Sequence, residues 1–91
     1  MKIIKLYNDK HKYVAIFSDG KKQKFGFSGM NDYTITGDKD ARERYRNRHR
    51  KDLDTDNPRR AGYLSFFLLW GNSESINKNI SDYKKRFGKF L

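Results

Sequence analysis

The first 27 residues contain three short runs of β-branched, aromatic and alternating apolar residues. They predict β-strands at 2–7, 12–18 and 22–27. Between the last two runs stands the pair Asp19-Gly20, which is a strong hairpin signal. The sequence therefore predicts a three-stranded antiparallel meander at the start of the chain.

The register of the predicted hairpin has two alternatives. A two-residue turn would pair Val14 with Phe25, whereas a three-residue loop with a glycine bulge would pair Tyr13 with Phe25. We favour the two-residue turn because it places Lys22 and Lys24 on the outer face of the sheet.

The spacing predicts a helix that begins after a connecting loop at 28–37. Asp40 and Glu43 form a pair that resembles a capping box, with acidic residues at the start of the helix and basic residues at its end. On a helical projection, the stripe that can dock onto the rest of the protein is narrow. It consists of Ala41, Tyr45 and His49.

A second helix is predicted from Asn57-Pro58, with asparagine as the cap and proline in the first turn. The segment 59–70 is apolar on nearly all sides, which is typical of a buried central helix. Gly62 weakens this helix by about 1 kcal/mol relative to alanine unless close packing requires it.

The last predicted helix begins at about Ser75 and ends near Gly88, where glycine is a natural stop. Its apolar stripe consists of Ile76, Ile80, Tyr83 and Phe87. We therefore predict an α+β fold, in which a three-stranded meander is followed by three helices. The chain is expected to form one small domain, with the meander at 1–27 and the helical part at 38–87.

The charge of the chain restricts the kind of partner. There are 21 lysine and arginine residues against 11 acidic residues, which gives a formal net charge of +10. Such an excess favours a polyanionic or acidic partner. Nucleic acid is the first candidate, an acidic protein surface the second, and anionic lipid the third. The chain has no cysteine, so disulfides and thiolate metal sites are excluded.

The segment ARERYRNRHRK at 41–51 concentrates the arginines, whose planar guanidinium groups suit phosphates and carboxylates. The helical projection gives two basic rows on either side of the docking stripe, and lysines of the third predicted strand add to the basic surface. The predicted residues for binding a polyanion or a partner are Arg42, Arg46, Arg50, Arg44, Arg48, Lys51, Lys22 and Lys24.

Other chemistry is weakly indicated. Asp52-x-Asp54-x-Asp56 resembles the start of a calcium loop but lacks its glycine and its closing glutamate. We interpret these three acids instead as neighbours of Arg59 and Arg60. No recognised catalytic motif or zinc spacing is present. We therefore expect no enzyme activity, no metal and no cofactor.

The apolar segments are too short for a signal peptide or a membrane span. The shortness of these apolar segments favours a soluble intracellular protein.

Four motifs occur in order between residues 12 and 87. They are Phe25-Gly26, the loop at 29–34, the helix segment at 44–49 and the apolar segment at 61–70. Together they resemble a largely uncharacterised family of small proteins of large DNA viruses of protists and algae, with related forms in some tailed phages. The resemblance implies a viral origin. It also implies that Arg44, Tyr45, Arg48 and His49 belong to a shared motif.

The expected function is a virion structural component, a minor capsid protein that bridges larger capsid or core proteins through its basic helix. The alternative is a nucleic-acid-binding protein that contacts phosphates of DNA or RNA through the same arginines, without sequence specificity. Residues of the shared motif could be structural and paired with the following acids. The predicted partner contacts therefore narrow to Arg42, Arg46 and Arg50. The expected location is the virion, and the host cytoplasm during assembly.

Overall fold

A computed structural model describes residues 1–91 of the chain. The fold is α+β, with an antiparallel sheet followed by helices, as predicted. The sheet contains three strands in the order β1-β2-β3. They are β1 (Lys2–Lys5), β2 (His11–Ile16) and β3 (Lys22–Phe27). The predicted meander is therefore confirmed.

The hairpin adopts the register that we did not favour. Tyr13 is paired with Phe25, so the predicted pairing of Val14 with Phe25 is wrong. The backbone N–H of Phe17 donates to the carbonyl of Lys21 at 2.9 Å, which leaves a three-residue loop between them. The loop is possible because Gly20 takes a φ of 85°, a left-handed conformation that glycine adopts readily. The register places Tyr13, Ala15, Phe17 and Phe25 against the core.

The predicted connecting loop contains a short additional helix, α1 (Tyr33–Thr36). Asp32 caps this helix by accepting a hydrogen bond from the backbone N–H of Thr34 at 2.8 Å. Capping by an aspartate side chain is a local interaction, and it stabilises a short helix here relative to an open loop. The chain therefore has four α-helical segments where the sequence predicted three.

The basic helix α2 (Lys39–His49) is present, but it begins earlier than predicted. Asp38 is its cap, and its carboxylate accepts a hydrogen bond from the backbone N–H of Ala41 at 3.0 Å. Asp40 lies in the first turn and is not the cap. The helix continues directly into a 3₁₀ helix (Arg50–Thr55).

The central helix is shorter than predicted and has two parts, α3 (Ala61–Leu64) and a π-helical segment (Ser65–Leu69). Asn57-Pro58 forms a turn before the helix and does not start it. The Asn57 side chain accepts a hydrogen bond from the backbone N–H of Arg59 at 3.0 Å, so it stabilises the turn. The prediction that the central helix is buried is confirmed, because Tyr63, Leu64, Phe66, Leu68 and Leu69 are all buried.

Gly62 is required by close packing. A Cβ atom added at Gly62 would lie 2.9 Å from the Cβ of Asp52, which is closer than real side chains allow. The 3₁₀ helix and α3 therefore approach each other where α3 has no side chain. The unfavourable helix propensity of this glycine is offset by that contact.

The last helix, α4 (Ile76–Phe87), begins and ends as predicted. Ser75 caps it by accepting a hydrogen bond from the backbone N–H of Lys78 at 3.2 Å. The predicted apolar stripe faces the core. Asn79 is buried on the same side, and its side-chain amide donates to the carbonyls of Leu68 and Ser73 at 3.0 and 2.8 Å.

The chain ends against the hairpin loop. A short 3₁₀ helix (Gly88–Phe90) follows α4, and the carbonyl of Leu91 accepts a hydrogen bond from the backbone N–H of Ser18 at 2.8 Å. The Leu91 side chain is buried in the core. This contact joins the end of the chain to the loop between β2 and β3. The sheet and the helices together enclose one hydrophobic core.

Candidate functional site

Two of the three arginines expected to contact a partner are folded against the protein. The guanidinium carbon of Arg42 lies 4.6 Å from the centre of the Tyr33 ring, and Arg42 also pairs with Glu43 at 3.1 Å. Arg46 donates from Nε to the carbonyl of Trp70 at 2.8 Å. Burial lowers the pKa of Arg46 below its usual value, and its guanidinium also lies over the Phe66 ring. These two arginines stabilise the docking of α2.

The remaining cations of this region point into solvent. They share two properties: their side chains are exposed, and none pairs with a carboxylate. We call them the basic end of α2, which here includes the start of the 3₁₀ helix that continues it and consists of Arg44, Arg48, Arg50 and Lys51.

The two lysines of β3 differ from each other. Lys22 is exposed and unpaired, whereas Lys24 forms an ion pair with Asp9 at 2.8 Å. Lys22 is therefore an unpaired cation, whereas Lys24 forms an ion pair within the surface of the meander. It does not bring the predicted binding residues together as one set.

Tyr45 anchors α2 through a stack of three rings. Its ring lies parallel to that of Trp70, with the centres 4.5 Å apart, and the ring of His49 stacks at 4.2 Å. Burial, with a smaller contribution from Asp52, raises the pKa of Tyr45 to about 12. The prediction that Tyr45 and His49 share one docking stripe of α2 is confirmed. The stack is also one wall of a groove.

This groove is a concave feature beside the basic end of α2. It has a volume of about 600 Å³ and lies between the end of the sheet, α2 and the central helix. Most of its surface is apolar, and Arg48 lies at its α2 side. The lining includes Phe25, Phe27, Met30, Tyr45, Leu69 and Trp70. A groove of this size and composition can bind a small apolar group.

A buried ion pair fixes the sheet side of the groove. Lys12 Nζ lies 2.6 Å from Asp32 Oδ2, and the Asp32 residue is only 1% exposed. The other carboxylate oxygen of Asp32 accepts hydrogen bonds from the backbone and hydroxyl of Thr34. Both carboxylate oxygens of Asp32 are therefore satisfied, as burial of a carboxylate requires. The charges of Lys12 and Asp32 cancel within the groove.

The rim of the groove exposes large apolar side chains. Phe27 is 65% exposed and Met30 is 64% exposed. The Phe27 ring is held in place because it stacks on the ring of His11, with the centres 5.3 Å apart. Phenylalanine and methionine together at the edge of a groove are typical of a binding surface.

The acids after α2 form no ion pair with Arg59 or Arg60. Asp52 Oδ2 lies 3.1 Å from Nδ1 of His49, within one turn of the chain. Arg59 instead pairs with Asp19 of the hairpin loop at 2.6 Å, because the tertiary fold brings the loop to it. No group of three or more His, Asp or Glu side chains is arranged to hold a metal ion.

Several groove residues were not recognised as site residues from the sequence. Phe27 and Met30 were assigned to a strand and a loop, and Lys12 to the meander. Phe27 and Met30 are two large apolar residues only three positions apart around a Ser-Gly pair, and this spacing is the signal that could have indicated them. Their proximity to Arg48 depends on how α2 packs, which periodicity does not specify.

Residues 1–49 match the model of a protein family described as a family of unknown function, DUF5754. The chain belongs to this family. The match covers the meander, α1 and α2, and so includes the sheet side and the α2 side of the groove and two of the four residues of the basic end of α2. No curated protein and no solved structure matches the chain. None of its helices has the length and apolar composition that crossing a bilayer requires.

Proposed function

We propose that the protein is a non-enzymatic structural component of a virion, a minor capsid protein that bridges larger proteins through the basic end of α2. The observation that carries this proposal is that the arginines of this region fall into a packed group and an exposed group. Arg42 and Arg46 are used inside the fold, while the basic end of α2 is exposed without carboxylate partners. Unpaired arginines on an ordered helix are ready to form two-point contacts with a partner.

The surroundings of the basic end favour a protein partner. Phe27 and Met30 are exposed on the rim of the groove that Arg48 also lines. Arginine, methionine and aromatic residues are enriched in protein interfaces, whereas lysine is depleted there. The viral resemblance of the sequence supports the same proposal, since a small basic protein in a particle would contact larger capsid or core proteins. It would be found in the virion, and in the host cytoplasm during assembly.

The first experiment is mass spectrometry of purified virus particles, with crosslinking through lysine and arginine side chains. We expect the protein in the particles, with Lys51 and the neighbouring arginines crosslinked to a larger capsid or core protein. Absence of the protein from purified particles would refute the proposal.

Charge reversal tests the role of the basic end. The double variant Arg44→Glu with Arg50→Glu should lower incorporation into particles. The matched control is Lys84→Glu with Lys85→Glu, which reverses two exposed and unpaired charges on α4. Equal incorporation of the two double variants would contradict a specific role for the basic end.

A second function is favoured by the number of free cations. Only five of the 21 lysine and arginine side chains pair with a carboxylate. Nucleic acid could bind the basic end through phosphates. If the basic end contacts about four phosphates, the slope of log K against log salt is about −4. Arg44→Ala with Arg50→Ala should then weaken binding to all sequences equally. A flat salt dependence would exclude this function.

A further inference from the structure

The groove beside the basic end is lined by two cations and two carboxylates, and only Lys12 and Asp32 form an ion pair of formal charges. Lys12 is paired with Asp32 at 2.6 Å, and Asp52 lies beside His49 at 3.1 Å. Arg48 also lines the groove but pairs with no carboxylate. Because Arg48 and the other unpaired cations of the basic end lie on the α2 side, an occupant that fits the groove has an apolar body and a negative charge on that side.

The walls of the groove favour an aromatic or aliphatic side chain as that body. Tyr45 and Trp70 present parallel rings, and Phe27 and Met30 present exposed apolar side chains on the opposite side. A volume of about 600 Å³ accommodates one such side chain together with the short stretch of backbone on either side of it. Rings also bind one another in stacked or edge-on arrangements.

One other occupant is disfavoured by charge. A second copy of this chain carries a net charge of +10 and would meet repulsion at the basic end. An acidic segment of a different protein does not meet this repulsion, because its carboxylate can lie beside Arg48 on the outer side.

We propose that the groove binds an aromatic or large aliphatic side chain from an acidic segment of a protein partner, with a neighbouring carboxylate paired to Arg48. This inference rests on the proposed bridging function and identifies the kind of segment that is bridged. The apolar side chain would supply most of the affinity, and the pairing with Arg48 would fix its direction.

The test uses synthetic peptides and the full chain. The probe is a capped pentapeptide Gly-Asp-Phe-Asp-Gly, and the two controls replace its phenylalanine by alanine or its aspartates by lysines. Binding is measured by amide chemical shifts in two-dimensional NMR titrations. We expect saturable shifts around Phe27, Met30, Tyr45 and Trp70 with the probe, and at least about tenfold weaker binding of either control. Equal binding of all three peptides, or no binding, would overturn the inference.

Variants on the rim test the same point without disturbing the core. Phe27→Ser and Met30→Ser should each weaken binding of the probe by about fivefold to tenfold. Tyr7→Ser and Ile35→Ser are the controls, since these side chains are also largely exposed but do not line the groove. Arg48→Gln should weaken binding of the probe and leave the lysine peptide unaffected. Equal effects of rim and control variants would contradict binding in the groove.

Failure of this inference differs from failure of the proposed function. If the protein is present in particles and the basic end is crosslinked there, but the probe does not bind, the groove has been assigned wrongly and the function stands. If the probe binds in the groove but the protein is absent from particles, the inference stands and the virion role is wrong.

Discussion

Arg46 donates a hydrogen bond from Nε to the carbonyl oxygen of Trp70 at 2.8 Å, and so joins α2 to the end of the central helix. This carbonyl follows the last turn of the π-helical segment, where the helix has no later backbone N–H that could donate to it. A second hydrogen bond, to the side chain of Asn72 at 3.2 Å, orients the guanidinium. An arginine within a basic run is therefore part of the fold.

Replacement of Arg46 tests this structural role. Arg46→Ala should lower the free energy of unfolding by about 1–3 kcal/mol, because the Trp70 carbonyl loses a charged donor and Phe66 loses its covering guanidinium. Arg44→Ala is the control, since Arg44 is exposed and unpaired, and it should change stability by less than about 0.5 kcal/mol. Urea denaturation followed by tryptophan fluorescence measures both. Equal effects would show that Arg46 does not stabilise the docking of α2.

Tyr45 makes the protein sensitive to alkaline pH. Its pKa is raised to about 12 by burial, so the folded state keeps the phenolic proton where the unfolded chain, with an ordinary value near 10, begins to lose it. Stability is therefore unaffected by Tyr45 below pH 10 and falls between pH 10 and 12, by up to about 1.4 kcal/mol per pH unit. Tyr45→Phe should flatten this fall, measured by urea denaturation at several alkaline pH values. An unchanged slope in the variant would contradict the assignment.

Arg59 joins three parts of the fold. It donates to Asp19 in the hairpin loop and to the carbonyl of Phe90 near the end of the chain, both at 2.6 Å, and it lies over the Phe17 ring. Arg59→Ala should destabilise the protein by about 1–3 kcal/mol. Arg59→Lys should recover only a small part, because an ammonium cannot reproduce the two directed contacts of the guanidinium. Thermal unfolding compares the two, and full recovery with lysine would show that charge alone matters.

The pairing of Asp19 with Arg59 also predicts a response to acid. The hydrogen bond from Arg59, followed by one from the backbone of Lys21, holds the pKa of Asp19 below its usual value of 3.8. A lowered pKa in the folded state stabilises the protein above pH 4, and this contribution is lost as the pH falls through the folded value. Asp19→Asn should therefore reduce stability at neutral pH more than at pH 2. Equal losses at both pH values would contradict the pairing.

Replacement by alanine should change the stability of the protein in opposite directions at Gly71 and at Gly88. A Cβ atom at Gly71 would collide with the backbone carbonyl of Phe67, whereas at Gly88 it would meet open space in a helical conformation. Gly71→Ala should cost about 3 kcal/mol or more, because a backbone atom cannot move aside easily. Gly88→Ala should stabilise the protein by about 0.5–1 kcal/mol, through the unfolded state. Differential scanning calorimetry measures both shifts, and a stable Gly71→Ala variant would refute the tight packing.

Local signals were sufficient for many elements of this fold. The apolar stripe of α4, the cap at Ser75 and the three strands follow from periodicity and short-range hydrogen bonding, and the structure contains them. The start of the central helix was wrong by about three residues, because the Asn57 side chain stabilises a turn as readily as it caps a helix. The extra helix α1 depends on its cap at Asp32. Residues of similar composition also form loops, so the sequence alone did not distinguish the helix from a loop.

The sequence by itself determined the fold class, the position of the hydrophobic faces and the strong positive charge, since each depends on residue type and spacing alone. The tertiary structure decided the hairpin register, and it decided which arginines are free. Helical periodicity separates Arg42 and Arg46 from Arg44 and Arg48, but it does not say which row packs against the protein. Tyr33, Phe66 and the Trp70 carbonyl lie on the side of Arg42 and Arg46. The groove beside Arg48 exists because the sheet end, α2 and the central helix meet there, and contacts among distant segments are not encoded in local periodicity.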